Sequence, residues 1–327
     1  MTAISCRQAR ECAISIVIPV YNQWQALGSC LESLSTQSDA PSFEVIVVDD
    51  GSSHPQDLTT VPIALRLLQL RQPHGGVSVA RNYGAQHANG DVVLFVDSDC
   101  RLDANCLRAL WNRVHTHASD YVFQLRIVGG GPGLVGETEN LDLSTIQRHR
   151  LLADGRICWL NTAGFAIRRS RVDVTRGLFE PRALRGQDKL LLAELRLRNE
   201  YPRYIPDCVV QHVVRLSLLK YLTKALRTAY VESATDRIIV SRAGTVGSSN
   251  TKRFAILISL WRASHRQPSG ALAVGVVIMK RLLKVIGRMA YSSSGPLQSF
   301  RTCMRGISTT PSGVEPSSEE IGRWGSG

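Results

Sequence analysis

Residues 91–99, with the sequence DVVLFVDSD, combine an apolar run with two aspartates. Its apolar run, Val92 to Val96, is typical of a strand buried inside a sheet. Asp97 and Asp99 follow this run directly, and ligands in open α/β sheets bind just beyond the carboxyl ends of the strands. We therefore expect a buried strand that ends in a polar ligand site.

The same pattern repeats upstream, where apolar runs also end in polar loops. Between the first two runs, the apolar residues from Leu27 to Leu34 recur at i, i+3, i+4 and i+7, as on a helix that packs through one face. Strands that alternate with such helices predict an α/β fold with a mixed, mostly parallel sheet. The predicted strands are 14–20, 43–48, 65–70, 91–96, 121–128, 159–167 and 204–212, and the predicted helices include 186–198, 216–240 and 252–290.

The charge of the chain is concentrated in its second part. Lys and Arg exceed Asp and Glu by 39 to 27, which gives a net charge of +12. Residues 1–200 hold 21 basic and 21 acidic side chains, whereas residues 201–327 hold 18 basic and 6 acidic ones. We expect the cationic part to face an anionic partner, with a merely solvated basic surface as the alternative. Nucleic-acid binding is not expected, because the sequence shows no basic patch interleaved with aromatic residues.

Targeting and redox features favour the cytoplasm. The first ten residues lack the apolar core of a signal peptide, and no apolar run approaches the roughly 18 residues of a spanning helix. We expect a cytoplasmic protein that lies at the inner face of the cell membrane when it meets a bilayer. Its eight cysteines include no CxxC pair and are expected to be reduced, mostly structural thiols.

A second pair of carboxylates, Asp49 and Asp50, ends another apolar strand and precedes Gly51, which permits a tight turn. Carboxylates gathered at neighbouring strand ends repel one another unless a cation or hydrogen-bond donor compensates them. Hard cations such as Mg²⁺ and Mn²⁺ take oxygen ligands and keep positions open for phosphate oxygens. The alternative is that each aspartate separately caps a helix or a turn, which does not explain why they gather on one edge.

Four motifs make the N-terminal 100 residues resemble a family 2 glycosyltransferase with the GT-A fold. They are SIVIPVYN at 15–22, VVDDGS at 47–52, GVSVARNYG at 76–84 and FVDSD at 95–99. The resemblance implies an inverting enzyme that uses a nucleotide-sugar and a divalent metal, Mn²⁺ or Mg²⁺. We expect a GT-A catalytic domain at 1–215, with a nucleotide-sugar half at 13–128 and an acceptor half at 129–215, then a basic helical extension at 216–290 and a disordered tail at 291–327.

The resemblance also implies roles for single residues of the donor site. Pro19 and Tyr21 would line the nucleotide base, and Asp49 and Asp50 would bind the base or the ribose. Arg81 would approach the diphosphate or the nucleotide, and its alternative role is a surface salt bridge.

Three residues are connected with the metal by the same resemblance. Asp99 would be a direct ligand, and Asp97 would hold the ribose or, indirectly, the metal. His212 resembles a histidine that family members place near the metal or the diphosphate, and its alternative role is a structural one.

The stretch from Gly186 to Asp188 resembles the family motif in which an aspartate at the start of a helix is the catalytic base. Gln187 replaces the usual acid, and Leu190 stands where a second aspartate is often found. A sugar hydroxyl is a poor nucleophile at neutral pH, so a positioned carboxylate must accept its proton during attack. One base and one metal predict a single displacement with inversion. The alternative role of Asp188 is a charge that stabilises the helix N-terminus.

The predicted reaction moves a sugar from a nucleotide-sugar, a UDP-sugar by default, to a saccharide or lipid-linked acceptor in polysaccharide, O-antigen or glycolipid synthesis. Two other interpretations remain. A non-catalytic nucleotide-binding relative would explain the departures at Gln187 and Leu190. An NAD(P)-dependent oxidoreductase would explain the GxGxxG pattern at 131–136, but the polar residues 137–140 do not continue as an apolar helix, so a solvent loop is expected there.

The basic helical extension carries a pattern of its own. An apolar run at 271–279 leads into Lys280, Lys284 and Arg288, which share one helical stripe. Such a helix can lie in a membrane interface with its cations toward anionic head groups. The alternative is that the helix packs on the catalytic domain and exposes its basic face.

Overall fold

An eight-stranded mixed sheet forms the centre of the computed structural model, which describes residues 12–58, 65–173, 175–243 and 268–294. The strands are β1 (Ile14–Val20), β2 (Phe43–Asp49), β3 (Leu67–Arg71), β4 (Val92–Phe95), β5 (Cys100–Leu102), β6 (Val122–Gly130), β7 (Phe165–Arg168) and β8 (Arg203–Val213). The helices are α1 (Trp24–Ser35), α2 (Val77–Gln86), α3 (Cys106–Thr116), α4 (Gly133–Arg150), α5 (Gln187–Leu197), α6 (Leu218–Ala243) and α7 (Pro268–Ser294). The strand order is β3-β2-β1-β4-β7-β6-β8-β5.

The chain divides into two units, Met1–Arg288 and Met289–Gly327. The sheet and helices α1 to α6 belong to the first unit. From residue 295 onward the predicted disordered tail lies outside the described residues, as do residues 252–267 of the predicted C-terminal helix. Within the described segments, no helix combines the length and the apolar character needed to cross a membrane.

The parallel half of the sheet brings polar strand ends to one edge. Strands β3, β2, β1 and β4 run parallel, and their register pairs Val20 with Asp49. Side chains alternate between the two faces, so Ile16 packs with the α1 residue Leu31 while Val17 packs with the α2 residue Ala80. The core therefore lies on both sides of the sheet, and the carboxyl ends of β1, β2 and β4 stay free for ligands.

The predicted strands of the first half are confirmed, with bounds that differ by no more than two residues. The predicted strand at 159–167 is wrong over most of its length, because a single turn of 3-10 helix occupies Thr162–Gly164 and only Phe165–Arg168 pairs in the sheet. The side chain of Asn161 accepts a hydrogen bond from the backbone N–H of Ala163, which stabilises this turn.

The predicted solvent loop after β6 is also wrong, since α4 begins at Gly133. Gly131 and Gly133 adopt positive φ angles of 116° and 65°, which turn the chain into the helix. The helix escaped prediction because its inward face is largely polar: Thr138, Asp142 and Gln147 are buried there. Cβ atoms at Gly131 and Gly136 would meet backbone oxygens at 2.4 and 2.1 Å, so close packing explains these two glycines of the GxGxxG pattern, and the positive φ explains Gly133.

Cys106 in α3 and Cys208 in β8 form a disulfide, so the prediction of reduced cysteines is wrong for this pair. The two residues are separated by 102 positions, and no local motif indicated that they meet. Among the described cysteines, Cys12, Cys30, Cys100 and Cys158 are free.

Gly84 sets the distance between α2 and the sheet, because a Cβ atom there would lie 2.4 Å from Val17 Cγ1. We expect Gly84→Ala to lower the free energy of unfolding by about 1–3 kcal/mol through overpacking. Gly28→Ala in α1 is the matched control, because nothing lies within 4 Å of its Cβ position, and it should stabilise the protein by about 0.5–1 kcal/mol. Urea denaturation measures both, and equal stability of the two variants would contradict this packing argument.

Candidate active site

The strand-end carboxylate Asp50 holds the loop that leads into α2. Its Oδ1 accepts hydrogen bonds from the backbone N–H of Gly75 at 2.9 Å and from Gln72 Nε2 at 2.7 Å, and its Oδ2 accepts from the backbone N–H of Gly76 at 2.9 Å. His74 Nδ1 also lies 2.9 Å from Asp50 Oδ2. Asp50 thereby fixes the backbone at the carboxyl edge of the sheet.

A ring stack stands beside this loop. The rings of Tyr21 and His74 lie 4.2 Å apart at an interplanar angle of 25°, and Tyr21 is 45% exposed. Pro19 lies in β1, two residues before Tyr21, and is buried. An exposed aromatic face at a sheet edge offers a flat, apolar surface on which a nucleotide base can stack. His74 was not predicted from the sequence, where its position before two glycines was the only indication.

Asp49, the neighbour of Asp50, is fully buried. Its Oδ1 accepts a hydrogen bond from the backbone N–H of Ser52 at 2.8 Å. Its Oδ2 lies 3.2 Å from Arg71 Nη1, without hydrogen-bond geometry to any described residue. We interpret the contact as an ion pair, because unlike charges at this distance attract each other even when misaligned. Asp49 therefore stabilises the turn at 49–52, whereas Asp50 holds the loop before α2.

Arg81 is a buried guanidinium at the centre of the site. It is 2% exposed, and its Nη2 donates to Asp97 Oδ1 at 2.5 Å. Its Cζ lies 5.6 Å from the ring centre of Phe179. Among the described residues, its Nε and Nη1 atoms have no hydrogen-bond partner. The surface salt bridge considered for Arg81 does not apply, since a buried guanidinium with two unsatisfied nitrogens favours contact with an anionic ligand.

Asp99 and His212 meet across the pairing of β5 and β8. Cys100 is opposite His212, and the backbone N–H of Val213 donates to the carbonyl of Asp99 at 2.9 Å. The side chains then place His212 Nε2 3.4 Å from Asp99 Oδ2. The structure thus brings together an aspartate and a histidine that are far apart in sequence.

His212 also contacts Glu139 of α4, with 3.6 Å between Nδ1 and Oε1. Burial alone would lower the pKa of His212, but its contacts with Asp99 and Glu139 outweigh burial and raise the pKa to about 10. Burial would raise the pKa of Asp99, and the contact with His212 lowers it instead. In the absence of a metal, His212 is therefore a cation held between two carboxylates.

The donors at Asp99 and His212 fit a divalent cation of the Mn²⁺ or Mg²⁺ type. A carboxylate oxygen and the nitrogen of a neutral imidazole are ligands that Mn²⁺ accepts, so His212 would release its proton when the cation binds. Two protein ligands leave positions for phosphate oxygens. Asp97 faces Arg81 instead. In the described part of the chain, no group of three or more His, Cys, Asp or Glu side chains is arranged to hold a metal. A metal bound here would therefore need oxygen atoms of a bound nucleotide to complete its coordination.

Asp188 lies in the first turn of α5, after Gly186, whose φ angle is 76°. Burial raises the pKa of Asp188, against the opposing effects of Lys189 and Arg81. Arg81 therefore interacts with both Asp97 and Asp188. This shared neighbour connects the carboxylate of α5 with the carboxylates after β4.

Helix α6 holds the loop that presents Asp188. Thr235 Oγ1 donates to the carbonyl of Arg185 at 2.5 Å, and Lys189 forms an ion pair with Glu232.

Two large cavities lie elsewhere, a 510 Å³ cavity beside α3 and β7 and an 800 Å³ cavity beside α5. The five aspartates of the candidate site, Asp49, Asp50, Asp97, Asp99 and Asp188, line neither cavity. The candidate site lies at the carboxyl ends of β1, β2 and β4, apart from both cavities.

A buried charge network lies behind His212 and was not predicted. Lys280 of α7 donates to Glu139 Oε2 at 2.8 Å and to Tyr221 Oη at 2.7 Å, and it lies 3.0 Å from Asp142 Oδ2. Burial would raise the pKa of Glu139, but His212 and Lys280 lower it well below its usual range. No sequence motif indicated that α4 and α7 would meet through charges.

The fold and the strand-end carboxylates define a GT-A glycosyltransferase architecture. The solved mannosyltransferase PcManGT of Pyrobaculum calidifontis, in complex with GDP-Man and Mn²⁺, superposes with a TM-score of 0.51 at 17% identity, over 91% of this chain and 80% of that one. At this identity the likeness shows the fold alone.

The family follows from the sequence comparisons. The model of glycosyl transferase family 2 matches residues 15–175. Glycosyltransferase GlyA of Streptococcus pneumoniae is 32% identical over 110 residues, which are 33% of this chain and 16% of that protein. An N-acetylglucosaminyltransferase of Bradyrhizobium diazoefficiens is 25% identical over 240 residues, 66% of this chain and 48% of that protein. Residues 15–175 belong to glycosyl transferase family 2.

The predicted family of this region and the predicted fold are thereby confirmed. In both relatives the match spans less than half of the relative's own length.

Proposed function

We propose that the protein transfers a sugar from a nucleotide-sugar, a UDP-sugar by default, to a hydroxyl acceptor with inversion at the anomeric carbon. The observation that carries the proposal is the position of Arg81, a buried guanidinium with unsatisfied nitrogens between Asp97 and Asp188. It lies within the region that matches the family. A donor diphosphate is the kind of anion that such a guanidinium binds.

The donor would lie along the edge formed by β1, β2 and β4. The stacked rings of Tyr21 and His74 offer a surface for the base. Asp49 and Asp50 keep the adjoining loop in place and define the edge of the base and ribose site. This arrangement supports binding of a nucleotide with its sugar directed toward Arg81.

Asp99 and His212 would hold the divalent metal, with Asp97 orienting Arg81 beside it. When bound, such a metal supplies a Lewis acid that offsets the charge of the departing nucleoside diphosphate. The residues of the chain prepare this environment: Glu139 orients His212, and Arg81 adds a second positive charge.

Asp188 would accept the proton of the acceptor hydroxyl. The carboxylate must be ionised to act as a base, and the positive charge of Arg81 favours ionisation in a site where burial opposes it. The alternative, a charge that only stabilises the N-terminus of α5, does not explain why α6 holds this loop so closely.

The proposed acceptors are a saccharide or a lipid-linked sugar, as used in polysaccharide, O-antigen or glycolipid synthesis. One similar protein is named an N-acetylglucosaminyltransferase, which supports an activated sugar as the donor. The cationic second part of the chain supports a place at the cytoplasmic face of an anionic membrane.

Thermal stabilisation by donor and metal tests the proposal. With Mn²⁺ present, one UDP- or GDP-sugar should stabilise the protein, by about 2.7 kcal/mol at one hundred times its Kd. Asp99→Ala should lose the part of the shift that needs Mn²⁺. Asp207→Ala, which removes an exposed aspartate paired with Arg113, should keep the full shift.

A protein that responds to no nucleotide-sugar with Mn²⁺ present would refute the proposal. A response that survives Asp99→Ala would remove Asp99 from the metal site. Binding without turnover of any donor would favour the non-catalytic alternative.

A further inference from the structure

Helix α7 turns its cations toward the protein. Lys280 is 8% exposed and pairs with Glu139 and Asp142 of α4. Arg288 lies 3.9 Å from Glu232 and 3.8 Å from Asp236 of α6. The predicted orientation, with this cationic stripe toward head groups, is therefore wrong. The inward acids of α4 and α6 attract these cations, and this attraction is strong where the pair is buried, which offsets the cost of removing the charges from water.

The outward face of α7 is apolar instead. Its large side chains are between 40% and 66% exposed, and they are Leu272, Ile278, Met279, Leu282, Val285 and Ile286. Leu272, the pair Ile278 and Met279, Leu282, and the pair Val285 and Ile286 follow one another at one or two helical turns, so they form one stripe about 20 Å long at the helical rise of 1.5 Å per residue. We call these residues the outer stripe. Soluble surfaces rarely carry a continuous apolar patch of this kind without a partner.

The ion pairs of α7 fix the outer stripe in place. A rotation that buried the stripe would withdraw Lys280 from Glu139 and Asp142, and it would move Gly287 away from α6. A Cβ atom at Gly287 would lie 2.6 Å from the carbonyl of Leu226, so α7 and α6 are in close contact at this point. The packing of α7 on the protein therefore keeps the outer stripe exposed.

We propose that the outer stripe docks on the surface of an anionic lipid bilayer, with α7 lying in the plane of the interface. An amphipathic helix binds a bilayer through buried apolar area together with electrostatic attraction to anionic lipids. Since α7 is not apolar enough to cross a membrane, the plane of the interface is the position open to it. The inference is independent of the transfer reaction proposed above.

Charge complementarity selects the bilayer over a second copy of the chain. Residues 201–327 hold 18 basic and 6 acidic side chains. Helix α6, which α7 contacts, exposes Lys220, Lys224 and Arg227. A second copy would carry the same excess of positive charge and would be repelled by it, whereas anionic head groups would be attracted to it.

Vesicle sedimentation of the full-length protein tests the proposal. The protein should bind vesicles that contain phosphatidylglycerol and bind pure phosphatidylcholine vesicles more weakly. The double variant Leu282→Glu/Ile286→Glu should weaken binding by about tenfold or more, because two carboxylates replace inserted apolar side chains. Leu197→Glu in α5, where the leucine is 62% exposed, is the matched control and should bind like the native protein.

Other outcomes would overturn the proposal. Equal binding by the double variant would assign the effect to basic charge alone. A dimer that sedimentation velocity detects and that the double variant loses would assign the stripe to a second copy. If the double variant has a lower melting temperature but binds vesicles as well as the native protein, the outer stripe packs against another segment of the chain, such as residues 244–267. Donor binding in solution should be the same in all variants, so a failure here is distinct from a failure of the proposed reaction.

Discussion

Replacing Asp188 with asparagine is expected to lower the rate of sugar transfer by roughly 10²- to 10⁴-fold, which is the usual contribution of a general base. The asparagine keeps the size of the side chain but cannot accept a proton from the acceptor hydroxyl. Donor affinity should stay close to native, because Asp188 lies in α5 and the donor edge is built from β1, β2 and β4. Initial rates and donor titration calorimetry measure the two effects separately.

The pH dependence of the transfer rate, on its acidic side, gives a second test of Asp188 as the general base. Burial raises the pKa of Asp188, so native activity should fall on acidification at a higher pH than an ordinary aspartate would give. The residual activity of Asp188→Asn should lack this pH dependence. Glu194→Gln, which changes another acid of α5 that pairs with Arg242, should keep both the rate and its pH dependence. Undiminished turnover of Asp188→Asn would remove Asp188 from the reaction.

Lys280→Met should destabilise the protein by about 3–5 kcal/mol, the cost of removing one partner from a buried ion pair. The substitution leaves Glu139 and Asp142 with less compensation in a site where both are nearly buried. Lys220→Met, which replaces an exposed lysine, is the control and should change the free energy of unfolding by no more than about 0.5 kcal/mol. Guanidinium denaturation measures the free energies of unfolding.

The pair Lys280–Glu139 predicts how this difference depends on pH. The pKa of Glu139 is lowered in the folded state, so its stabilisation is present above the usual glutamate pKa of about 4.3. The difference between native protein and Lys280→Met should therefore be constant near neutral pH and shrink as the pH falls below about 4.

A second substitution checks the assignment of the energy to buried charge. Adding Glu139→Gln to Lys280→Met should recover part of the loss, because the uncompensated carboxylate is gone. Full additivity of the two losses would mean that Lys280 stabilises the fold through packing and not through charge.

The sequence predicted those parts of the fold in which apolar pattern and packing agree. Strands β1, β2 and β4 are buried on both faces, so their apolar runs were visible without knowledge of their partners. The aspartates that end them were found for the same reason. Periodicity also found α1, whose buried face is carried by Leu27, Leu31 and Leu34.

The sequence could not predict elements whose inward face is charged. Helix α4 buries Asp142 and Gln147, and α7 buries Lys280. The usual rule that polar residues face water therefore hid α4, which was predicted as a loop, and gave α7 the wrong orientation. Their orientation depends on partners more than a hundred residues away in the chain, such as Glu139 for Lys280. His74 and the disulfide between Cys106 and Cys208 were missed because each depends on a contact in space and not on a motif.

The pairing of β5 with β8 has a consequence for how proteins with this architecture can diversify. Because Cys100 is opposite His212, backbone hydrogen bonding alone brings Asp99 and His212 into register. Segments inserted between β7 and α5 would leave that juxtaposition intact, as long as β7, β6 and β8 still pair. The region proposed to bind the acceptor could thus vary in sequence while the pairing that brings Asp99 to His212 stays the same.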